Sequence, residues 1–323
     1  MAERLPTIPF ELQPKARDLS FDLDRALASV VSVKSLAPED AFTARSLGTE
    51  RLGHGIVIRQ SGLVLTVGYL IIEAQEVWLR TIDGRVIAGH ALAYDQETGF
   101  GLVQAMSSLD LPILPFATGR EVAPGDPLVI AGSGGREATL AAQCVARQPF
   151  AGYWEYWLSN AIMSAPAHPF WGGAAAIDEN GQLAGVASLQ VEAGDGKTSQ
   201  SLNMVIPIGL LPPILDDLVK FGRPNKPPRP WLGLYATEIG ERIVIAGVAD
   251  DGPAEEAGIE IGDILVAVAG EKPSSLGEVW RLIWAQGTAG VEIPLLVERQ
   301  DRILEVRIKS ADRLLFTRAR VIH

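Results

Sequence analysis

Cysteine is almost missing from this sequence: Cys144 is the single thiol in 323 residues, which excludes an intrachain disulfide and a cysteine-built zinc cluster. Long apolar runs are missing too. No stretch approaches the ~18 uncharged apolar residues that a membrane helix needs. Residues Met1 to Ser20 mix charge with proline (Glu3, Arg4, Pro6, Pro9, Glu11, Pro14, Lys15) and build no apolar signal core. The expectation is a cytoplasmic chain with no membrane span. Basic charge is also short, since 28 Lys+Arg against 39 Asp+Glu leave a net charge of −11. No Lys/Arg stripe overrides that balance, so nucleic acid is excluded as a partner.

What is present points to β-structure. The chain carries 33 glycines and 21 prolines between short runs rich in Val, Ile and Leu, a pattern of strands and tight turns rather than of a helical bundle. From Gly53 the runs read as successive strands, with Ser61-Gly62 and Asp83-Gly84 as turns. A helix is expected at about Pro212 to Phe221, its prolines tolerated only in the first turn. Gly222, Pro224, Pro227, Pro228 and Pro230 then form a spacer. After it come further strands, an amphipathic helix over Leu276 to Trp284, and a hairpin turning at Gln300-Asp301. The organisation read from this is an N-terminal arm (1–44), a first domain (45–221), a proline-rich linker (222–230), a second domain (231–310) and a tail (311–323).

The second domain resembles a PDZ domain of the type attached to bacterial trypsin-like proteases. The runs that carry the likeness are Pro230-Trp231-Leu232-Gly233 and Gly252-Pro253-Ala254-Glu255-Glu256-Ala257-Gly258-Ile259-Glu260-Ile261-Gly262-Asp263-Ile264. Gly258 suits the left-handed stop of a short helix, and Gly262-Asp263 turns the chain into the next strand. The resemblance implies capture of protein or peptide C-termini by addition to a sheet edge. It places the carboxylate loop at Trp231, Leu232 and Gly233, the paired strand from Leu234, and the far wall of the groove on Val279 and Ile283, residues that a purely structural core would also account for. The terminal Arg318-Ala319-Arg320-Val321-Ile322-His323 is a further PDZ-ligand candidate, against the commoner reading of a frayed tail.

Residues of about 45 to 220 are similar to the chymotrypsin-like double β-barrel of the HtrA/Deg serine proteases, so the fold class is mainly β, a double barrel followed by a PDZ domain. The landmarks are Gly53-His54-Gly55, Ser61-Gly62-Leu63-Val64-Leu65-Thr66, Asp83-Gly84-Arg85, Val122-Ala123-Pro124-Gly125-Asp126, Gly172-Gly173, Asn180-Gly181-Gln182-Leu183-Ala184-Gly185-Val186 and Val205-Ile206-Pro207-Ile208. Such enzymes need a serine, a histidine, an aspartate and two backbone donors for the oxyanion. The resemblance puts Tyr69 where the histidine belongs, Gly99 at the aspartate, Trp171 at the nucleophile and Pro169 at a donor glycine. Phenol is a poor base at neutral pH, indole cannot attack a carbonyl, and proline has no N–H.

The resemblance therefore implies a non-catalytic pseudoprotease acting as a peptide- or protein-binding scaffold or adaptor, without a cofactor. It also implies a homo-oligomer, a trimer formed through the arm with Phe10 and Phe21. Tyr69, Phe170 and Trp171 are expected to fill the old cleft, the other expectation being rings exposed for a partner. The alternative function is a hydrolase or metal-binding protein using other residues, with His54 and His168 as the metal candidates and Cys144 or Ser164 as substitute nucleophiles. Cys144 sits in an apolar run that suits an inert core thiol. A third reading is a structural part of a larger complex tethered by its PDZ domain.

Overall fold

Short apolar runs between glycine and Asx turns become strands almost one for one. The computed structural model of the chain describes residues 7–194 and 199–317, so the tail sequence from Arg318 lies outside the described residues. Two units are distinguished: among the described residues the first holds 7–148, 160–194 and 199–224, and the second holds 149–159 and 225–317. Among the described residues no helix is long and apolar enough to cross a membrane.

The first unit contains two closed barrels. One is built from β1 (Val30–Leu36), β2 (Glu50–Arg59), β3 (Leu63–Val67), β4 (Glu76–Arg80), β5 (Val86–Tyr94) and β6 (Phe100–Ala105), in the order β1-β2-β3-β6-β5-β4. The other uses β7 (Pro127–Ala131), β8 (Thr139–Gly152), β9 (Tyr156–Ala165), β10 (Ala175–Ile177), β11 (Leu183–Ala193) and β12 (Gln200–Pro207), in the order β10-β11-β12-β9-β8-β7. Read round from β7, the second ring repeats the strand order of the first. Barrel closure removes sheet edges, and small barrels fill their interior with side chains; Leu63, Leu65, Leu79, Leu102 and Ile130 are all buried. Cys144 lies in the core of the second barrel, and burial pushes its thiol up, as expected of an inert core residue.

Two boundaries differ from the sequence reading. The barrel takes in Val30–Leu36, inside the stretch assigned to the arm, because β1 pairs with both β2 and β4. Residues 149–159, read as trypsin-like, belong to the second unit. Within the arm Phe10 is exposed, whereas the ring of Phe21 packs over Gly181 of its own chain.

Helix α1 (Pro212–Phe221) begins on its prolines, buries Leu215 and Leu218, and stops at Gly222, whose left-handed backbone donates to the Leu218 carbonyl. The second unit is a five-stranded sheet in sequential order, β13 (Leu234–Ile239), β14 (Arg242–Val248), β15 (Ile264–Val268), β16 (Glu292–Arg299) and β17 (Arg302–Lys309), with helix α2 (Leu276–Ala285) packed on it. Ser275 caps α2 by accepting from the Glu278 amide, while Glu278 accepts from the Ser274 amide. Gln300 and Asp301 both have positive φ, the backbone that a two-residue hairpin turn demands. The described part of the tail folds back: Trp231 pairs with Ala311, and its ring meets that of Phe316 at 4.8 Å.

Candidate functional site

The β3 strand ends in a single 3-10 turn, Gly68–Leu70, which sets Tyr69 facing the loop that precedes β10. The phenol donates to the Ser188 carbonyl at 2.7 Å and also shares a side-chain hydrogen bond with Trp171. Burial pushes the hydroxyl up, further from any role as a base. Both rings are half-buried, and Trp171 packs against the second barrel's core. Gly99 lies beside them through its carbonyl, which accepts from the Gly68 amide at 2.8 Å. It has a left-handed backbone and closes a turn in which Asp95 accepts from Thr98. Asp95 is thus a turn residue, as its surroundings in the sequence suggest.

Two glycines follow Trp171. The Gly172 carbonyl accepts from the His54 amide at 2.8 Å, and a Cβ on Gly173 would lie 2.0 Å from the His54 carbonyl oxygen, at φ +82°. Gly173 therefore has to be glycine where this loop packs on β2, whereas a Cβ on Gly172 would lie 2.8 Å from the Tyr69 hydroxyl. Gly173→Ala is expected to cost about 2 kcal/mol or more, since a strained left-handed residue costs ~1–3 by itself and the contact adds to it. Urea unfolding compares it with wild type; unchanged stability would show that the loop does not need this seat.

His54 and His168 do meet, with ring centroids 6.3 Å apart and edge-on, both rings sealed from solvent. Their nitrogens are already engaged. His54 Nε2 donates to the Phe170 carbonyl (2.9 Å), so Nδ1 accepts from the Ser133 amide (2.9 Å). His168 Nε2 faces the Ala138 carbonyl, and its Nδ1 accepts from the Phe170 amide. A metal at this pair would have to break those bonds, and among the described residues no group of three or more His, Cys, Asp or Glu is placed to hold one. The Ser133 hydroxyl lies 3.0 Å from His54 Nδ1, an arrangement of nucleophile and base. Burial, helped by the neighbouring His168, pushes the imidazole down to about 3, so it stays neutral at pH 7 and is a poor acceptor for a second proton. Ser164 is buried with its hydroxyl unpartnered, and no base reaches it.

In the second unit, the loop Trp231–Leu234 is assembled as a carboxylate cradle and already holds a carboxylate. Glu155, 4% exposed, accepts from the amides of Leu232 (3.1 Å), Gly233 (2.7 Å) and Leu234 (2.9 Å). Burial pushes its carboxyl up to about 7, against the downward pull of those amides and of the Arg313 guanidinium. Val279 and Ile283 are entirely buried in the unit's core cluster, against which Trp157 packs. The sequence reading missed Glu155. The available signal was Tyr153-Trp154-Glu155-Tyr156-Trp157, four aromatics in five residues of a chain only 7% aromatic.

The trypsin-like peptidase domain family matches residues 53–186, and the PDZ domain family matches 244–299. The serine endoprotease DegS of Escherichia coli K12 is 25% identical over 299 residues, covering 88% of this chain and 83% of that protein. The periplasmic pH-dependent serine endoprotease DegQ of the same organism is 26% identical, covering 80% and 59% respectively. Among solved structures, the serine endoprotease from Yersinia pestis aligns with a TM-score of 0.53 at 22% identity, over 91% of this chain and 99% of that one. An HtrA-type protease AlgW variant with a tripeptide gives 0.55 at 18%, over 90% and 95%. At those identities the structures establish the shared fold.

Proposed function

We propose that this chain, an HtrA-type protein by its trypsin-like and PDZ domains, binds peptide or protein partners without cutting them. The observation that carries the reading is the pairing of Tyr69 with Trp171: the phenol is locked onto the Ser188 carbonyl and hydrogen-bonded to the indole, at the two positions that the resemblance gives to the general base and the nucleophile. Pro169 supports it, because its ring nitrogen offers no donor to an oxyanion, and one lost donor alone costs about 10²- to 10³-fold. The partner-binding half rests on the PDZ domain and its carboxylate-holding loop. No cofactor enters this reading.

A fluorophosphonate probe tests it, since the reagent requires an activated hydroxyl rather than a particular substrate. The full chain is expected to remain unlabelled and to leave casein intact at neutral pH. A covalent adduct mapped to any serine, Ser133 beside His54 above all, would refute the non-catalytic reading.

A further inference from the structure

The Glu155 contact does not stand alone. Strand β13 pairs with β14 on one side and is otherwise an edge, yet its Ala236 amide donates to the Tyr153 carbonyl at 2.9 Å. Tyr153 to Glu155 form the turn that joins β8 to β9, and this turn sets the Tyr153 carbonyl against Ala236 and the Glu155 carboxylate against Leu234 and the loop before it. The Trp280 indole of α2 donates to the Gly152 carbonyl at 2.9 Å, and the Trp157 ring covers Gly277 so closely that a Cβ there would lie 3.0 Å from it. Glu155 itself sits at φ 57°, a left-handed conformation unfavourable for glutamate. Residues 152–157 therefore occupy sheet edge, helix wall and carboxylate loop together, the three surfaces by which an extended peptide with a free carboxy terminus is held.

We propose that the segment 152–157 is a built-in competitor of the PDZ groove, and that a partner's free carboxy terminus enters only by displacing the Glu155 side chain from the Leu232–Leu234 amides. This rests on the reading of the second unit as a peptide binder and specifies its regulation. The partner it fits is a carboxy-terminal segment with bulky apolar side chains, because the intramolecular occupant lays aromatic residues on the same surfaces. Arg313 adds to the fit: its Nε and Nη1 are buried without a hydrogen-bond partner, and its guanidinium lies near enough to draw on the Glu155 charge. Those donors remain for an incoming carboxylate.

The probe is a fluorescein-labelled peptide copying residues 150–154 with a free carboxy terminus, so that its α-carboxylate replaces the Glu155 side chain. Fluorescence anisotropy on the full chain is expected to show at least tenfold tighter binding to Glu155→Ala than to wild type, and a carboxamide version of the peptide is expected not to bind. Amide hydrogen exchange supplies the second measurement. Leu232, Gly233 and Leu234 are expected to be protected in peptide-free wild type, exposed in Glu155→Ala, and protected again once peptide is added. Should Glu155→Ala lose its cooperative unfolding transition, Glu155→Gln, which keeps the shape and removes the charge, is expected to show the same direction of gain. Equal affinity for wild type and both variants would overturn the competitor and spare the peptide-binding reading. Absence of binding to folded variants with exposed loop amides would overturn that reading instead.

Discussion

Between pH 7 and pH 4 the double-barrel unit is expected to lose about 3 kcal/mol of stability through His54 alone. An unfolded chain protonates histidine below its ordinary value near 6.5, whereas the folded chain holds His54 down to about 3 because burial excludes the charged form. The unfolded state thus binds the extra proton throughout that interval. Stability is complete above pH 6.5 and drains as the pH falls, at about 1.4 kcal/mol per unit. His168 is shifted the same way by its own burial and adds to the loss. For a unit of this size about 3 kcal/mol corresponds to roughly 6–12 °C in Tm. Urea unfolding at pH 7, 5 and 4 measures the slope. His54→Gln keeps a donor and an acceptor but cannot titrate; its curve is expected to be shallower on the acid side although its stability at pH 7 is lower. Parallel curves for variant and wild type would show that His54 is not the proton-linked group.

The same histidine shows what the sequence could and could not reveal. The succession of strands along the chain, the helix from Pro212 to Phe221 and the Gln300-Asp301 hairpin were readable because each rests on neighbours in sequence: alternation, a proline at a helix start, two residues that must turn. The resemblance singled out Tyr69, Gly99 and Trp171; in the structure Tyr69 is hydrogen-bonded to Trp171, and the Gly99 carbonyl accepts from the Gly68 amide. It did not foretell why Gly172 and Gly173 are glycines, because the atoms a Cβ would meet there belong to Tyr69 and to His54, far away in sequence. Nor did spacing reveal that both imidazoles are committed to backbone partners. That turns two metal candidates into pieces of core, and only tertiary contacts decide it. The largest omission was Glu155, which lies 77 residues before the first amide it meets; a carboxylate between aromatics carries no local mark of the loop it will occupy. Val30–Leu36, assigned to an arm, is a barrel strand for a similar reason, since its partners β2 and β4 arrive later in the chain.

Removal of the Asp263 carboxylate is expected to destabilise the second unit by about 3 kcal/mol, far more than loss of the exposed pairs. Its side chain is 1% exposed and receives both Nε and Nη2 of Arg299 at 2.7 Å, while its other bond comes from the Glu260 amide at 3.0 Å. Burial raises the carboxyl, yet that bidentate pairing and the amide pull it below the usual carboxylate range, so the ionised form is the one the fold holds. Deleting one partner of a buried pair costs ~3–5 kcal/mol because the other is left uncompensated. Here the lower figure applies, since Arg299 is 23% exposed and keeps Glu260 at 2.5 Å. The contrast is Arg59 with Asp216, 41% and 93% exposed, where removal is expected to change stability by less than about 1 kcal/mol. Asp263→Ala and Asp216→Ala in the full chain, followed by urea unfolding, separate the two cases. A route to the carboxylate cradle exists, because the Ala254 amide of the short helix after Gly252 donates to the Leu232 carbonyl and that helix runs into the turn whose Glu260 amide the Asp263 carboxylate holds. If that turn holds the cradle in shape, Asp263→Ala also speeds hydrogen exchange at Leu232 to Leu234. Unchanged protection there, alongside the loss of stability, would confine Asp263 to the far side of the sheet and leave the cradle to Glu155 and its own loop.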